Sequence, residues 1–321
     1  MPVDAVVANG RPGLSWMNMA GVRLDEPFFQ QTVDRVKAEQ SYAPERFTEF
    51  DTLVQVEKTF DSVEPTGFIF HSSRCGSTLV ANACRAIAGA IVLSEPAAAD
   101  KLIARFITDT DETGTKEALY SVFLRGVVKA LGQRRTGDER YLFVKFSCCS
   151  VSQIDRIRRI WPGVPCLFLY REPVETIVSN LQNVPPWLVD EDRRVLASMI
   201  GSSSEAIGEM SLEELCARAI GSFYSTANRV ANSRTLLLNY NQLSLAEITN
   251  VLQFFGVGPA AAEMESIAHL SQKYSKADRA FVADAEAKQQ IATDLIRDMA
   301  QTWAVTPYRL LEQKRLEYKR S

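Results

Sequence analysis

From Gly67 onward the chain alternates short, nearly unbroken apolar runs with longer amphipathic stretches. The runs are GFIF (67–70), AIVLSE (90–95), YLFVKF (141–146), PCLFLY (165–170) and TLLLNY (235–240). A strand with one face in water alternates apolar and polar residues, whereas a strand covered on both faces does not need to. The five runs therefore predict a central parallel β-sheet flanked by helices, an α/β fold of three layers. The intervening helices have readable ends. One starts at Ser77, buries Leu79, Val80, Ala83 and Ile87, and stops near Gly89. SLEE (211–214) and SLAE (244–247) are capping boxes, a serine cap with glutamate three residues on. The second of these opens a helix that ends at Gly256. ADAEAKQQIATDLIRDMAQTWA (283–304) reads as one long helix, and GSSSEAIGEM (201–210) as a mobile loop.

The first sixty residues follow another pattern. After a short mixed opening, Pro27 stands near the start of a helical run with Phe28, Phe29, Val33 and Val36 on one side. Residues 1–62 are expected to be an N-terminal extension packed on a domain formed by 63–321.

Composition narrows the partners. Of 321 residues 46% are hydrophobic and 23% charged, and the formal net charge is −3, so no overall field favours nucleic acid. Anion binding must come from a local cluster. No apolar run approaches the roughly 18–20 residues that span a bilayer, and MPVDAVVANGRPG lacks the basic and apolar regions of a secretory signal. A cytoplasmic protein with no membrane partner is expected. Six cysteines form no C-x-x-C pair and there are two histidines, His71 and His269, so usual zinc-ligand spacings are lacking and no metal is expected. The cysteines, the vicinal pair Cys148–Cys149 included, read as reduced packing residues.

The chemistry begins at HSSRCGST (71–78), a tight polar loop between a strand and a helix. Against the phosphate-loop pattern G-x-x-x-x-G-K-[ST], His71 takes the first glycine's place and Gly76 matches the second. Ser77 replaces the lysine, and Thr78 matches the last hydroxyl. Amides around Cys75 and Gly76, and the helix start, still point at an anion. The lost ammonium is replaced by Arg74, whose planar fork suits tetrahedral oxyanions. A triphosphatase also needs an acid at a strand end to hold magnesium. PCLFLY runs instead into Arg171, with Glu172 after it. The site reads as one for an anionic nucleotide without a metal-held γ-phosphate.

FIFHSSRCGSTLV together with LFLYREPVETIVSNL resembles the two signature segments of sulfotransferases that use 3′-phosphoadenosine 5′-phosphosulfate (PAPS), among them soluble bacterial and tyrosylprotein-type members. The resemblance implies that the first segment grips the 5′-phosphosulfate, through Arg74, Cys75, Gly76, Ser77 and Thr78. It implies that Arg171 and, eight residues on, Ser179 hold the 3′-phosphate. LLLNYNQLSLAEITNVLQFFGV is similar to the family's late strand–helix segment, with Asn241 in place of an acidic residue. YSKADRAFVADAEAK (274–288) resembles the loop that closes over the nucleotide, from which Lys276 and Arg279 would reach the 3′-phosphate. A solvated charged loop looks the same. The resemblance covers roughly residues 63–290.

Three residues are candidates for catalysis. Arg74 would stabilise the transferring sulfonate, the alternative being a surface arginine near a turn. Lys145 is a charged residue inside an apolar strand. It is either an edge-strand lysine snorkelling to water or, as the resemblance implies, a group beside the bridging oxygen of the donor. Glu95 ends a strand before Pro96, at the edge where open α/β sheets gather their ligands. Tyrosylprotein-type and some bacterial members carry a catalytic glutamate about this far past the loop, so Glu95 is either the general base or a solvent-facing carboxylate. His71 competes for the base role but reads better as a cap on the loop. Asp100 and Lys101 stand near enough to Glu95 to line a pocket. Tyr240 either approaches the adenine or is a buried strand-end tyrosine. His269 reads as a packed or surface histidine.

The expected activity is transfer of a sulfonate from PAPS to a hydroxyl, or an amine, of a small-molecule, amino-acid-derived or peptide acceptor, with adenosine 3′,5′-bisphosphate released. Residues 185–210 and the extension would shape the acceptor side. The rival readings are a P-loop kinase or nucleotide hydrolase using ATP–Mg²⁺ and a non-catalytic nucleotide sensor.

Overall fold

The computed structural model describes residues 1–39, 45–108, 115–189, 193–271 and 285–318. The chain opens with two strands, β1 (Pro2–Ala8) and β2 (Arg11–Trp16), then α1 (Phe29–Glu39), β3 (Arg46–Glu49) and α2 (Thr52–Thr59). The alternating part follows: β4 (Pro65–His71), α3 (Ser77–Arg85), β5 (Ala90–Ser94), α4 (Ala97–Thr108), α5 (Thr115–Leu131), β6 (Tyr141–Lys145), α6 (Ile154–Ile160), β7 (Cys166–Tyr170) and α7 (Pro173–Gln182). Short helices α8 (Pro186–Val189), α9 (Arg193–Ile200) and α10 (Ser204–Glu209) lead into α11 (Leu212–Val230), β8 (Thr235–Asn239), α12 (Leu245–Phe254) and α13 (Ala261–Ser271). The end of the chain is α14 (Ala285–Ile291), α15 (Asp294–Trp303) and α16 (Val305–Tyr318). No helix of the described residues is long and apolar enough to cross a membrane.

The five apolar runs are the five strands of a parallel sheet in the order β5-β6-β4-β7-β8. Their unbroken hydrophobicity has a structural cause. Phe68, Phe70, Ile91, Leu93, Leu142, Val144, Phe168 and Tyr170 belong to one buried cluster. The residues between them, Ile69, Val92, Phe143, Leu167 and Leu169, belong to a second, on the other face, with Val80, Ala83 and Val251 of the covering helices. Successive side chains of a strand point to opposite faces, so both faces must be apolar when both are covered. The α/β class with a parallel sheet between helical layers is as the pattern predicts.

Residues 1–60 hold a three-stranded antiparallel sheet, β1-β2-β3, that the sequence did not announce. Its Val3 and Leu14 and the Phe29, Val33 and Val36 side of α1 join the first cluster. Phe28 does not share that face: α1 begins one residue later. Two further expectations are corrected. Residues 201–210 are not simply a loop, because Ser203 accepts a hydrogen bond from the Ala206 amide and caps α10. The segment expected as one long helix holds two, α14 and α15, because Thr293 caps α15 by accepting from the Ile296 amide, and Ala304 closes it before α16. Both capping boxes are present: Ser211 accepts from the Glu214 amide and Ser244 from the Glu247 amide.

Candidate functional site

The strand order fixes where a ligand can lie. From β4 the chain passes to the far edge at β5, returns to β6 beside β4, and crosses to β7 on β4's other side. The crevice of an open α/β sheet forms at the carboxyl ends of strands where the winding reverses. Here those ends carry Lys145 on β6, the loop 72–76 after β4, and Arg171 after β7. With neighbouring strands about 4.8 Å apart, the backbones of Lys145 and Arg171 stand on the order of 10 Å apart, with the loop between them.

The loop leaves β4 at His71 and enters α3 through Gly76, whose φ of +82° is left-handed. A Cβ there would meet Leu243 Cδ2 at 2.6 Å and Tyr240 Cδ2 at 3.2 Å, so glycine is required by both conformation and space. Ser77 and Thr78 are buried at the start of α3, where the first helical amides have no acceptor within the helix. The Cys75 thiol is turned the other way: its Sγ donates to the Leu169 carbonyl at 3.2 Å. Burial, first among the influences on it, pushes its pKa up to about 11. Any contact of Cys75 with a ligand is therefore through its amide. Helix α7 clamps the loop from the side. Ser73 Oγ donates to Asn180 Oδ1 at 2.8 Å, and Arg74 Nη2 to the Asn183 carbonyl at 2.6 Å.

Glu95 follows β5, its amide donating to the Lys145 carbonyl at 2.7 Å. Lys145 is 1% exposed, and its Nζ donates to Glu95 Oε1 while lying over the Phe28 ring, 5.2 Å from the centroid. A lysine this buried is not snorkelling to water. His71 Nε2 stands 3.4 Å from the same carboxylate oxygen. Burial raises the Glu95 pKa, but Lys145 and then His71 outweigh it and hold the carboxyl well below its ordinary range. The carboxylate is therefore ionised at neutral pH.

At the end of β7, Arg171 is 3% exposed. Its Nε donates to Glu175 Oε2 at 2.7 Å and its guanidinium lies over the Tyr240 ring, 4.2 Å from the centroid. The Tyr224 hydroxyl donates to the Arg171 carbonyl at 2.6 Å. Helix α7 starts at Pro173 with Glu172 as its cap, accepting from the Glu175 amide. Glu175 and Ser179 are thus successive turns of α7 on the side next to Arg171. Tyr240 sits between Arg171 and Gly76, which ties the two parts of the site together.

Among the described residues other than glycine, four have positive φ: Asn9, Ser73, Arg74 and Glu95. Three of these are at this site. Such conformations cost of order 1–3 kcal/mol each and persist where the surroundings impose them.

Other expected neighbours stand elsewhere. Lys101 pairs with Asp4 at 2.7 Å, away from Glu95. Asp100 Oδ1 accepts from the Ser147 amide at 3.0 Å and the Ser150 hydroxyl at 3.2 Å, and so braces the turn after β6. His269 is exposed on α13. Lys276 and Arg279 lie outside the described residues; beyond that segment, Gln289 of α14 donates to Glu172 Oε2 at 3.0 Å, beside Arg171. Asn180, Glu175 and Tyr224 were not singled out from the sequence, and Phe28 was expected only on the apolar side of a helix. Only Glu175, four residues from Arg171, offered a spacing that would have shown it.

No family model matches the chain, and no curated protein matches it. Among solved structures it is similar to the sulfotransferase domain from the curacin biosynthetic pathway, at 15% identity and a TM-score of 0.39 over 78% of this chain and 98% of that one. It is also similar to the sulfotransferase domain of the Synechococcus PCC 7002 olefin synthase, at 16% identity and a TM-score of 0.38 over 79% and 95%. Likeness of that degree says nothing about chemistry, which rests on the site.

Proposed function

We propose that the protein is a sulfotransferase that moves a sulfonate from PAPS to a hydroxyl, or an amine, of a small-molecule, amino-acid-derived or peptide acceptor. The observation that carries this reading is the pairing of buried Lys145 with the partly exposed carboxylate of Glu95, beside the loop that leads into α3. A carboxylate that could accept a proton and an ammonium that could meet a leaving oxygen would then stand next to a helix start suited to an anion. The arginine at the end of β7, where a magnesium-dependent site would need an acid, supports a 3′-phosphorylated nucleotide over a nucleoside triphosphate.

The residues fit such a donor at both of its charged ends. The amides of Cys75 to Thr78 and the hydroxyls of Ser77 and Thr78 would hold the 5′-phosphosulfate; Arg171, with Ser179, would hold the 3′-phosphate. Tyr240 presents a ring to Arg171 and to Gly76 on the nucleotide side. Lys276 would contribute from the late loop. PAPS supplies a sulfonate on a good phosphate leaving group.

The acceptor oxygen forms its bond to sulfur as the bond from sulfur to the bridging oxygen breaks. The bonding pair leaves on the phosphate of adenosine 3′,5′-bisphosphate, and the acceptor's proton passes to Glu95. Arg74 would face the equatorial oxygens where charge builds. Lys145 acts on both sides of this exchange. Paired to Glu95, it keeps the carboxylate ionised but weakly basic; drawn to the bridging oxygen, it stabilises the leaving group and lets the basicity of Glu95 rise.

The test is release of adenosine 3′,5′-bisphosphate from PAPS with 4-nitrophenol and a panel of hydroxyl and amine acceptors. Wild-type protein is expected to turn over at least one acceptor. Glu95→Gln is expected to lower kcat by about 100-fold or more, within the usual worth of a general base, with nucleotide affinity kept. Full activity in Glu95→Gln would remove Glu95 from the mechanism.

A further inference from the structure

We propose that His71 is not the base but a positioning residue, a bridge that ties the loop to Glu95 and turns one carboxylate oxygen toward the acceptor. The inference rests on the reading of Glu95 as the proton acceptor and adds to it a residue that the sequence offered as a rival base and, preferably, a loop cap.

The geometry of the imidazole decides which nitrogen holds the proton. His71 ends β4, in register with Leu169, and is 6% exposed. Its Nδ1 accepts from the Ser73 amide at 3.1 Å. A nitrogen that accepts carries no proton, so in the neutral ring the hydrogen is on Nε2. Nε2 is the atom that faces Glu95 Oε1 at 3.4 Å.

Two consequences follow. In this tautomer neither nitrogen can take a proton from an acceptor, because Nδ1 is engaged by the loop and Nε2 is already protonated. His71 and Lys145 also converge on the same oxygen, Oε1. That leaves Oε2 as the oxygen offered to the acceptor, with Oε1 held by Lys145 and faced by Nε2. The strained residues stand at both ends of the bridge, Ser73 and Arg74 on the loop and Glu95 beyond it, with φ of 68°, 50° and 54°. A nucleotide that orders the loop would therefore also hold the imidazole, and through it the carboxylate.

The chain has two histidines, so His269→Gln leaves His71 as the sole imidazole. ¹⁵N spectra of that variant read the tautomer directly and need no acceptor. Nε2 is expected to be protonated and Nδ1 not, and the Nε2 proton resonance is expected to move when Glu95→Gln is added. A proton on Nδ1, a doubly protonated ring, or an Nε2 resonance indifferent to Glu95→Gln would each overturn the bridge.

Two substitutions separate bridging from capping. His71→Gln keeps a side-chain donor near the place of Nε2, whereas His71→Asn keeps an acceptor for the Ser73 amide and loses the donor. With the acceptor that wild-type protein uses best, kcat is expected to fall about 100-fold in His71→Asn and about 10-fold or less in His71→Gln. KM and affinity for adenosine 3′,5′-bisphosphate should change little in either. The reverse order, with nucleotide affinity lost in His71→Gln, would reduce His71 to a loop cap. Failure of wild-type protein to turn over PAPS would sink the functional reading alone, since the tautomer and its response to Glu95 are measured without turnover.

Discussion

At the scale of the residue, the clearest case is Arg171. Its guanidinium is buried, held by Glu175 through Nε and stacked on Tyr240, so its orientation is set before any ligand arrives. A charge-assisted contact from such a group to phosphate is worth about 1.5–3 kcal/mol. Arg171→Ala is therefore expected to weaken adenosine 3′,5′-bisphosphate by roughly 10- to 100-fold in calorimetric titration, while 5′-AMP, which lacks the second phosphate, changes little. Equal losses for both nucleotides would mean that Arg171 does not read the 3′ position. The residue types of the site were legible in the sequence because each departs from its surroundings: Lys145 inside an apolar run, Arg171 where an acid was wanted, glycine before two hydroxyls. Their supports were not. Asn180 reaches Ser73 across 107 positions of sequence, and Phe28 lies over Lys145 from the N-terminal segment. Contacts of that range leave no local pattern.

At the scale of the element, strands were read well and short helices poorly, for physical reasons. A strand buried on both faces is written as an unbroken apolar run, so all five members of the parallel sheet stood out. The strands β1 to β3 are partly exposed, and Asp4, Pro12, Gly13 and Ser15 interrupt their apolar residues, so no unbroken run marks them. Thr293 caps α15 without a glutamate three residues on, so the break resembled helix interior. The turn that joins α5 to β6 is a further device of this scale. Glu139 accepts from the amides of Arg135, Thr136 and Gly137 at 2.7, 3.0 and 2.9 Å. Burial raises its pKa, but these amides prevail and lower it from 4.5 to about 2. A carboxyl whose folded pKa is depressed stabilises the fold above its unfolded value and ceases to as pH falls toward its folded one. Glu139→Gln is thus expected to lower Tm at pH 7, with the gap to wild type narrowing as pH falls from about 4.5 toward 2. A gap independent of pH would show that the ionised form is not what the turn needs.

At the scale of the whole molecule, the sheet order gathers Lys145, the loop 72–76 and Arg171 at three adjacent strand ends, and the N-terminal segment closes one side of them. Phe28 covers Lys145 while Phe29, Val33 and Val36 anchor the same segment in the large cluster. The Leu24 carbonyl accepts from Arg85 Nε at 2.8 Å, which fastens that segment to α3. On the proposed reading, a chain with a net charge of −3 would hold a polyanion through local cations, with Lys145 and Arg171 buried and fixed in orientation, so the overall field would matter little. The most direct measurement is thermal unfolding with adenosine 3′,5′-bisphosphate and, separately, with ATP–Mg²⁺. A ligand at about 100 times its Kd stabilises by roughly 2.7 kcal/mol, which for a chain of this length raises Tm by about 4 °C. Stabilisation by the 3′-phosphorylated nucleotide and not by ATP–Mg²⁺ is the expected result. Stabilisation by ATP–Mg²⁺ alone would contradict it and make the site that of a kinase or nucleotide hydrolase.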